Sequence, residues 1–161
     1  MALGELGFES VATYIQSGNV VFGAGPEDPG EVVRRCLADR FGVDAPVVLR
    51  TAEQLAAGLA ASERIFPPDA GEDAGALAHD KRVHILFLSD TPSVDRLEAD
   101  VAKGEEAVLD GRELHVRYQA GAGKSRLTID GIERALGVTA TGRNLATVRA
   151  LVRLAFRPRS G

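Results

Sequence analysis

The chain has 161 residues, a formal net charge of −4 and 45% hydrophobic residues, with aromatic residues at only 5% and no Trp. This composition supports one ordinary domain or two small ones, with a core built from aliphatic side chains. No apolar run reaches membrane-spanning length, the N-terminus has no secretory pattern, and the single cysteine, Cys36, excludes an internal disulfide. We therefore expect a protein of the reducing cytoplasm that makes no membrane contact.

The first 66 residues predict a first subdomain. Its predicted elements, in chain order, are the end of a helix over 1–7, a hairpin pairing 11–16 with 19–23, a helix over 28–41 and a short strand over 46–50. Thr51 and Gln54 then form a capping-box pattern that opens another helix. The hairpin has a polar tip at Ser17-Gly18, which is a tight-turn signal.

A stretch rich in Pro, Gly, Asp and Ala at 67–81 predicts a linker. The same order of elements then recurs over 82–161, the second predicted subdomain. Its predicted elements are a strand at 83–88, a helix from Thr91-Pro92 carrying Val94, Leu97 and Val101 on one face, a hairpin pairing 106–110 with 113–118, a helix over 126–136, a strand at 138–140 and a helix from Thr141 to about Phe156.

The two series align at an offset of about 95 residues, which indicates an internal repeat. Each half then has the element order of the split βαβ or ferredoxin-like plait, so the predicted fold is α+β with two tandem ferredoxin-like plaits. The strand at 83–88 has no counterpart in the first half, because its equivalent would precede Met1. We therefore expect an N-terminally truncated chain or a misplaced gene start, a hypothesis that the upstream coding sequence tests.

Seven segments, in this order, make the chain resemble the DUF1697 proteins, bacterial proteins of unknown function: Leu6–Phe8, Thr13–Phe22, Arg40–Gly42, Val47–Thr51, His84–Leu88, Gly123–Thr128 and Thr141–Asn144. The resemblance implies two linked ferredoxin-like subdomains and supplies no activity. Members usually begin with a strand and a glycine-rich loop that are absent here. They also commonly have Trp-Asn where this chain has Leu145-Ala146, so a contact made by that Trp is in doubt.

The first candidate binding residues are at the hairpin tip: Gln16, Ser17, Gly18 and Asn19. They present side-chain amides, a hydroxyl and a glycine whose backbone a ligand can approach closely. These groups suit a ligand with a nucleic-acid base edge or a carboxylate. The equivalent hairpin in the second half has a plain Asp110-Gly111 turn, so the fold itself does not demand this tip. The alternative is an ordinary hairpin whose flanks hydrogen-bond locally.

A second candidate is the segment Gly121–Ser125, which resembles the end of a phosphate-binding loop. The full pattern needs glycine where Tyr118 stands, and no parallel sheet is expected, so a true P-loop is not predicted. Lys124 and Ser125 near a helix N-terminus still suit a weaker anion site. The alternative is a glycine loop in which Ser125 caps the helix.

The third candidate is the start of the last helix, where Thr141 is the expected N-cap and Arg143 and Asn144 suit a phosphate or carboxylate. Arg149, Arg153 and Arg157 align at helical spacing, either as a nucleic-acid contact or as a basic face in water. Residues 112–161 carry a net charge of +7, which leaves −11 for the rest. This uneven distribution indicates either that the basic half binds a polyanion or that the two halves neutralise each other.

The remaining chemistry-bearing residues point to no reaction. His79, His84 and His115 lack metal-site spacing, Cys36 is expected in the core, and no catalytic or cofactor motif is recognised. Three hypotheses follow: a protein binding an anionic small molecule or nucleic acid in a cleft between the subdomains, an enzyme acting on a phosphorylated or nucleotide substrate, or a structural module that assembles through sheet edges. The oligomeric state is not predicted.

Overall fold

The computed structural model describes residues 3–14, 18–68 and 73–157. We refer to residues up to 66 as the first half and to residues from 82 as the second half. A short 3₁₀ helix spans Gly4–Leu6, and a second one spans Ala122–Lys124. The strands are β1 (Ala12–Tyr14), β2 (Asn19–Val21), β3 (Val83–Leu88), β4 (Glu106–Asp110), β5 (Glu113–Arg117) and β6 (Ala140–Asn144). The helices are α1 (Pro29–Phe41), α2 (Ala52–Ile65), α3 (Asp73–Arg82), α4 (Ala99–Ala102), α5 (Ile129–Leu136) and α6 (Leu145–Ala155).

The second half is built on a four-stranded antiparallel sheet with the strand order β4-β5-β3-β6. Its chain order of strand, helix, two strands, helix and strand, with β3 in an inner position beside β5 and β6, is the ferredoxin-like arrangement. The protein is therefore of the α+β class, as the sequence predicts.

Both faces of this sheet are buried, which explains why nearly every residue of β3 is buried. The first cluster, which we call the α5 core, consists of Leu86, Leu88, Leu114, Val116, Tyr118, Leu127, Ile132 and Leu136. The second cluster, which we call the α2–α6 core, consists of Phe66, Val83, Ile85, Phe87, Leu145 and Val148. Because Phe66 follows α2, the second core joins the two halves.

The first half confirms several predicted elements. β1 and β2 form an antiparallel hairpin, and α1 ends at Gly42, whose φ of +65° places it in the left-handed region that glycine tolerates. Thr51 and Gln54 form the expected capping box at the start of α2, with both reciprocal hydrogen bonds present. Cys36 is buried on α1.

Three predicted elements between residues 46 and 102 differ from the structure. Residues 46–50 form no strand, since no neighbouring strand within the described residues offers them hydrogen bonds. The predicted linker at 67–81 contains α3, whose alanines favour a helix and whose Asp80 pairs with Arg149 of α6. The helix expected from Thr91 is reduced to α4. Leu97 and Val101 reach the α5 core, but Val94 is exposed, so little burial stabilises a longer helix.

Within the described ranges, none of the helices is both long enough and apolar enough to cross a membrane.

Candidate functional site

The hairpin tip is only partly described. Gln16 and Ser17 lie outside the described residues, whereas Gly18 is exposed at a φ of +72° and Asn19 begins β2. The Asn19 side chain reaches back across the hairpin, where its Nδ2 donates to the carbonyl of Tyr14 at 3.2 Å. The amide of Asn19 is thereby held at the end of the strand, with its oxygen available to a second partner.

That second partner is Arg143, 124 positions later in the sequence. Its Nε donates to Asn19 Oδ1 at 2.6 Å, and its Nη1 donates to Thr141 Oγ1 at 2.7 Å and to the Gly142 carbonyl at 2.8 Å. Both Asn19 and Arg143 also make further contacts. Burial lowers the pKa of the Arg143 guanidinium, so its charge lies in a partly desolvated place. Two predicted site residues from opposite halves are thus in direct contact.

The sheet explains why Arg143 faces the first half. Arg143 is directly opposite Ile85 in the β3–β6 ladder, and opposite residues project from the same face of a sheet. Ile85 belongs to the α2–α6 core, the side on which α2 joins the halves. Arg143 was expected at a helix N-terminus and instead lies in a strand, because β6 extends to Asn144.

Asn144 is the N-cap of α6, a role that the sequence assigned to Thr141. Its Oδ1 accepts from the Thr147 backbone N–H at 2.9 Å, while Thr141 lies in β6 and accepts from Arg143. Asn144 is adjacent to the Arg143 contact, but its side-chain oxygen is engaged in the cap.

Lys124 and Ser125 lie on the other face of the sheet from Arg143. Ala122, in the same 3₁₀ helix as Lys124, packs against the α5 core. The predicted helix at 126 begins only at Ile129 with Thr128 as its cap, and Ser125 instead accepts from the Leu127 N–H at 3.0 Å. Leu127 is buried in the α5 core, which holds the segment before α5 out of the helix. Lys124 and Ser125 therefore do not adjoin a helix N-terminus.

Sequence reasoning missed Arg50, which is the most buried arginine in an ion pair of the described chain. Its side chain is 7% exposed, and its Nε contacts Glu113 Oε1 at 2.7 Å. Its Nη2 donates to the carbonyls of Leu88 at 2.9 Å and Arg112 at 2.8 Å, and the guanidinium lies 5.5 Å from the Phe87 ring centroid. The only sequence signal was its position directly before the capping residue Thr51.

Arg50 and Arg143 occupy related positions in the two halves. Each directly precedes the N-cap residue of a helix, Thr51 or Asn144, and each reaches the first residue of the second hairpin strand in the other half. Each half therefore clamps the other through one arginine. The partners differ, since the second half presents the carboxylate of Glu113 and the first half presents the amide of Asn19.

The hairpin registers show which residue of the first half corresponds to Glu113. Ala12 pairs with Val21 as Ala107 pairs with Val116, so the two ladders superpose at an offset of 95 residues. At that offset Gly18 takes the position of Glu113. A Cβ atom built on Gly18 has no neighbour within 4 Å among the residues that the structure describes, which leave this position open.

The halves also enclose a cleft of about 360 Å³, on the side of Arg50 rather than Arg143. None of the predicted candidates within the described residues lines it. Its lining residues are Asp28, Gly30, Glu31, Arg34, Val47, Val48, Leu49, Ser89 and Arg112. Arg34 is paired with Glu31 and Asp44 at 2.9 Å each, so the positive charge that Arg34 brings to the cleft is balanced by acidic side chains.

The first arginine of the basic row expected on α6 is paired with acidic residues. Arg149 contacts Asp80 at 3.0 Å and also pairs with Glu63. These contacts raise the pKa of Arg149, with the hydrogen bond to Asp80 as the largest cause. Arg149 therefore acts within the protein, joining α6 to α2 and α3, while Arg153 and Arg157 are exposed.

His84 and His115 do not lie together in one site. His115 is opposite Ile85, and His84 is opposite Val116, so the two lie on neighbouring strands but project from opposite faces. Burial lowers the pKa of both imidazoles. Among the residues that the structure describes, no group of three His, Cys, Asp or Glu side chains is arranged to hold a metal ion.

Comparison with known proteins reveals a family. The family model described as "Protein of unknown function (DUF1697)" matches residues 1–115. The chain belongs to this family. The matched range includes the hairpin tip and Arg50 but ends before Arg143, so the DUF1697 match covers one side of the contact between Asn19 and Arg143. No curated protein and no solved structure matches the chain. The family thus supplies no activity, and the function must be argued from the geometry.

Proposed function

We propose that the protein binds a small molecule through a phosphate or carboxylate group beside Arg143, where the hairpin tip of the first half meets β6. The observation that carries the proposal is the difference between the two related arginines. Arg50 has a carboxylate partner at 2.7 Å, whereas Arg143 Nε meets a neutral amide at 2.6 Å and Gly18 stands where the carboxylate would be.

The electrostatics favour an anion at this point. A guanidinium prefers carboxylate or phosphate partners, and charge-assisted hydrogen bonds of this kind contribute about 1.5–3 kcal/mol each. Burial lowers the pKa of Arg143, which indicates partial desolvation, and an anion gains more from a desolvated cation than from one in bulk water. The open space at Gly18 leaves room for the ligand's charged group.

A small ligand fits better than a nucleic acid. A polyanion needs several cations along one track, yet Arg149 is paired with acidic residues and Lys124 lies on the opposite face of the sheet. Among the described residues the proposed site thus has one half-buried cation, Arg143, which suits one phosphate or carboxylate group.

The test compares two variants that act on the site in different ways. Arg143→Gln removes the cation, whereas Asn19→Asp keeps the cation and supplies the missing carboxylate; Arg153→Gln, an exposed arginine on α6, is the matched control. Thermal unfolding is followed with inorganic phosphate, pyrophosphate, AMP, ATP, citrate and a short RNA. One class of small anion should raise the Tm of the parent protein and of the control, but of neither site variant.

Asn19→Asp is the more informative variant because its carboxylate occupies the Arg143 guanidinium without removing it, at the cost of the Nδ2 hydrogen bond to the Tyr14 carbonyl. Unchanged anion binding in both site variants would overturn the proposal. Stabilisation by RNA alone would favour the nucleic-acid hypothesis instead. Loss of stability in Arg143→Gln, with no anion effect on the parent, would reduce Arg143 to a structural clamp.

A further inference from the structure

His115 and Ser62 are polar residues that lie fully buried between the two halves. His115 is opposite Ile85 in the β3–β5 ladder and therefore projects into the α2–α6 core, while Ser62 is on the buried side of α2. Among the described residues, neither the Ser62 hydroxyl nor either ring nitrogen of His115 has a hydrogen-bond partner. Buried polar side chains nearly always have one, so these two residues need an explanation.

The contacts on either side of Ser62 bring it to His115. α2 and β5 meet at two flanking points: Gly58 with Glu113, where a Cβ atom built on the glycine lies 3.6 Å from Cγ, and Phe66 with Arg117, where Cζ lies 5.0 Å from the ring centroid. Ser62 lies midway between the two helix positions, and His115 lies midway between the two strand positions. The hydroxyl and the imidazole therefore face each other between α2 and the sheet.

The charges around His115 compensate an imidazolium only weakly. Those on the same face of the sheet are Glu106 and Asp110 of β4, Glu113 and Arg117 of β5 and Arg143 of β6, and α2 adds Arg64. β3 and α6 present apolar side chains here, namely Ile85, Leu145 and Val148. Both glutamates are paired with arginines, and Asp110 is exposed. Burial is accordingly the largest influence on the pKa of His115 and lowers it.

We propose that the buried pair of Ser62 and His115 makes the attachment of α2 to the sheet sensitive to acid, so that uptake of a proton by His115 releases α2 while the sheet stays folded. A neutral imidazole fits this place, whereas an imidazolium is a buried cation that meets only a hydroxyl from the helix. β5 keeps its ladders to β3 and β4 and the α5 core on its other face. Release also separates Arg50, which precedes α2, from Glu113.

Hydrogen exchange of the full chain over a pH series tests this release. Each exchange rate is divided by the rate of the same amide in an unstructured peptide at that pH, which gives its opening constant. A detached helix of 14 residues is marginal in water, so the α2 amides exchange once the helix leaves the sheet. We expect α2 to open at least about tenfold more often than β3.

The pH dependence follows from the proton that His115 takes up in the open state, where its ordinary pKa is about 6.5. The sign is fixed by burial: the closed state binds this proton less readily, so acid favours the open state. From about pH 7.5 to about pH 5.5 the opening constant of α2 should rise at least about threefold, with a limit of about tenfold.

Three variants separate His115 from other acid-sensitive groups. His115→Leu should remove the rise, and Ser62→Asp should also remove it, because the imidazolium gains a carboxylate partner. His84→Gln, which changes the half-buried histidine on the opposite face of the sheet, should keep the rise. A rise that survives in His115→Leu or Ser62→Asp, no rise in the parent protein, or equal opening constants of α2 and β3 at every pH would overturn the proposal. The parent protein and Ser62→Asp keep the test decisive even where His115→Leu does not fold.

Discussion

Arg50→Ala is the substitution whose effect on stability follows most directly from the structure. The Arg50 guanidinium links the segment before α2 to β5, and its side chain is 7% exposed while that of Glu113 is 19% exposed. Removal of the guanidinium leaves the Glu113 carboxylate partly buried without its cation. It also removes the donor to the carbonyls of Leu88 and Arg112, at the end of β3 and the start of β5.

The expected cost is large for a single substitution. Breaking a buried ion pair from one side costs about 3–5 kcal/mol, because the remaining charge stays desolvated. Domains of this size have an unfolding free energy of about 5–15 kcal/mol, so Arg50→Ala should remove a substantial part of the total. Arg40, which pairs with Glu5 at 2.8 Å on the surface, offers the contrast, because water screens the charges of an exposed pair.

Urea unfolding followed by circular dichroism measures both variants. Arg50→Ala should lower the free energy of unfolding by about 3–5 kcal/mol, and Arg40→Ala should lower it far less. The double variant Arg50→Met with Glu113→Leu should recover much of the loss, since it removes both charges and fills the space with apolar atoms. Equal effects of Arg50→Ala and Arg40→Ala would refute the reasoning, as would a double variant less stable than Arg50→Ala.

Three further predictions concern single residues and the same unfolding assay. Burial lowers the pKa of His115, so the unfolded chain takes up the proton first; stability should be full above about pH 7 and fall as the pH drops below about 6.5, and His115→Leu should reduce this dependence. Thr51→Ala and Asn144→Ala each remove a helix cap and should cost about 1 kcal/mol; no loss in either variant would contradict the capping assignments. Leu145→Ala empties a fully buried position and should cost about 2–5 kcal/mol, whereas a loss below about 1 kcal/mol would mean that the α2–α6 core collapses around it.

The repeat could be predicted from the sequence because its markers are local. Glycine after an apolar helix, as at Gly42 and Gly137, a capping box at Thr51 and an Asp-Gly turn each specify backbone geometry within a few residues. The elements that were wrong depend on distant partners. Residues 46–50 have strand propensity but no strand beside them within the described residues. The predicted linker gains a helix, α3, that packs against α6.

The residues of the candidate site also divide into those that local sequence places and those that distant contacts place. Asn19 begins a hairpin strand that the sequence predicts, whereas Arg143 was expected at a helix N-terminus and reaches Asn19 because β6 extends to Asn144. Lys124 was grouped with them as a cation in a glycine loop beside an expected helix N-terminus, and the side of the sheet on which this loop lies is decided by the burial of Ala122 and Leu127. Arg50 escaped notice because nothing in its local sequence distinguishes a buried arginine from an exposed one.

The proposed anion site follows from the comparison of Arg143 with Arg50. Arg50 contacts a carboxylate and also the carbonyl of Leu88, the last residue of β3, so in the second half the end of a strand and an acidic side chain share one arginine. The described part of the first half offers Arg143 neither a counterpart of β3 nor a side chain at Gly18. An anion bound beside Arg143 would take the place that the Glu113 carboxylate has beside Arg50. Asn19→Asp should therefore abolish anion binding, because its own carboxylate occupies the guanidinium of Arg143.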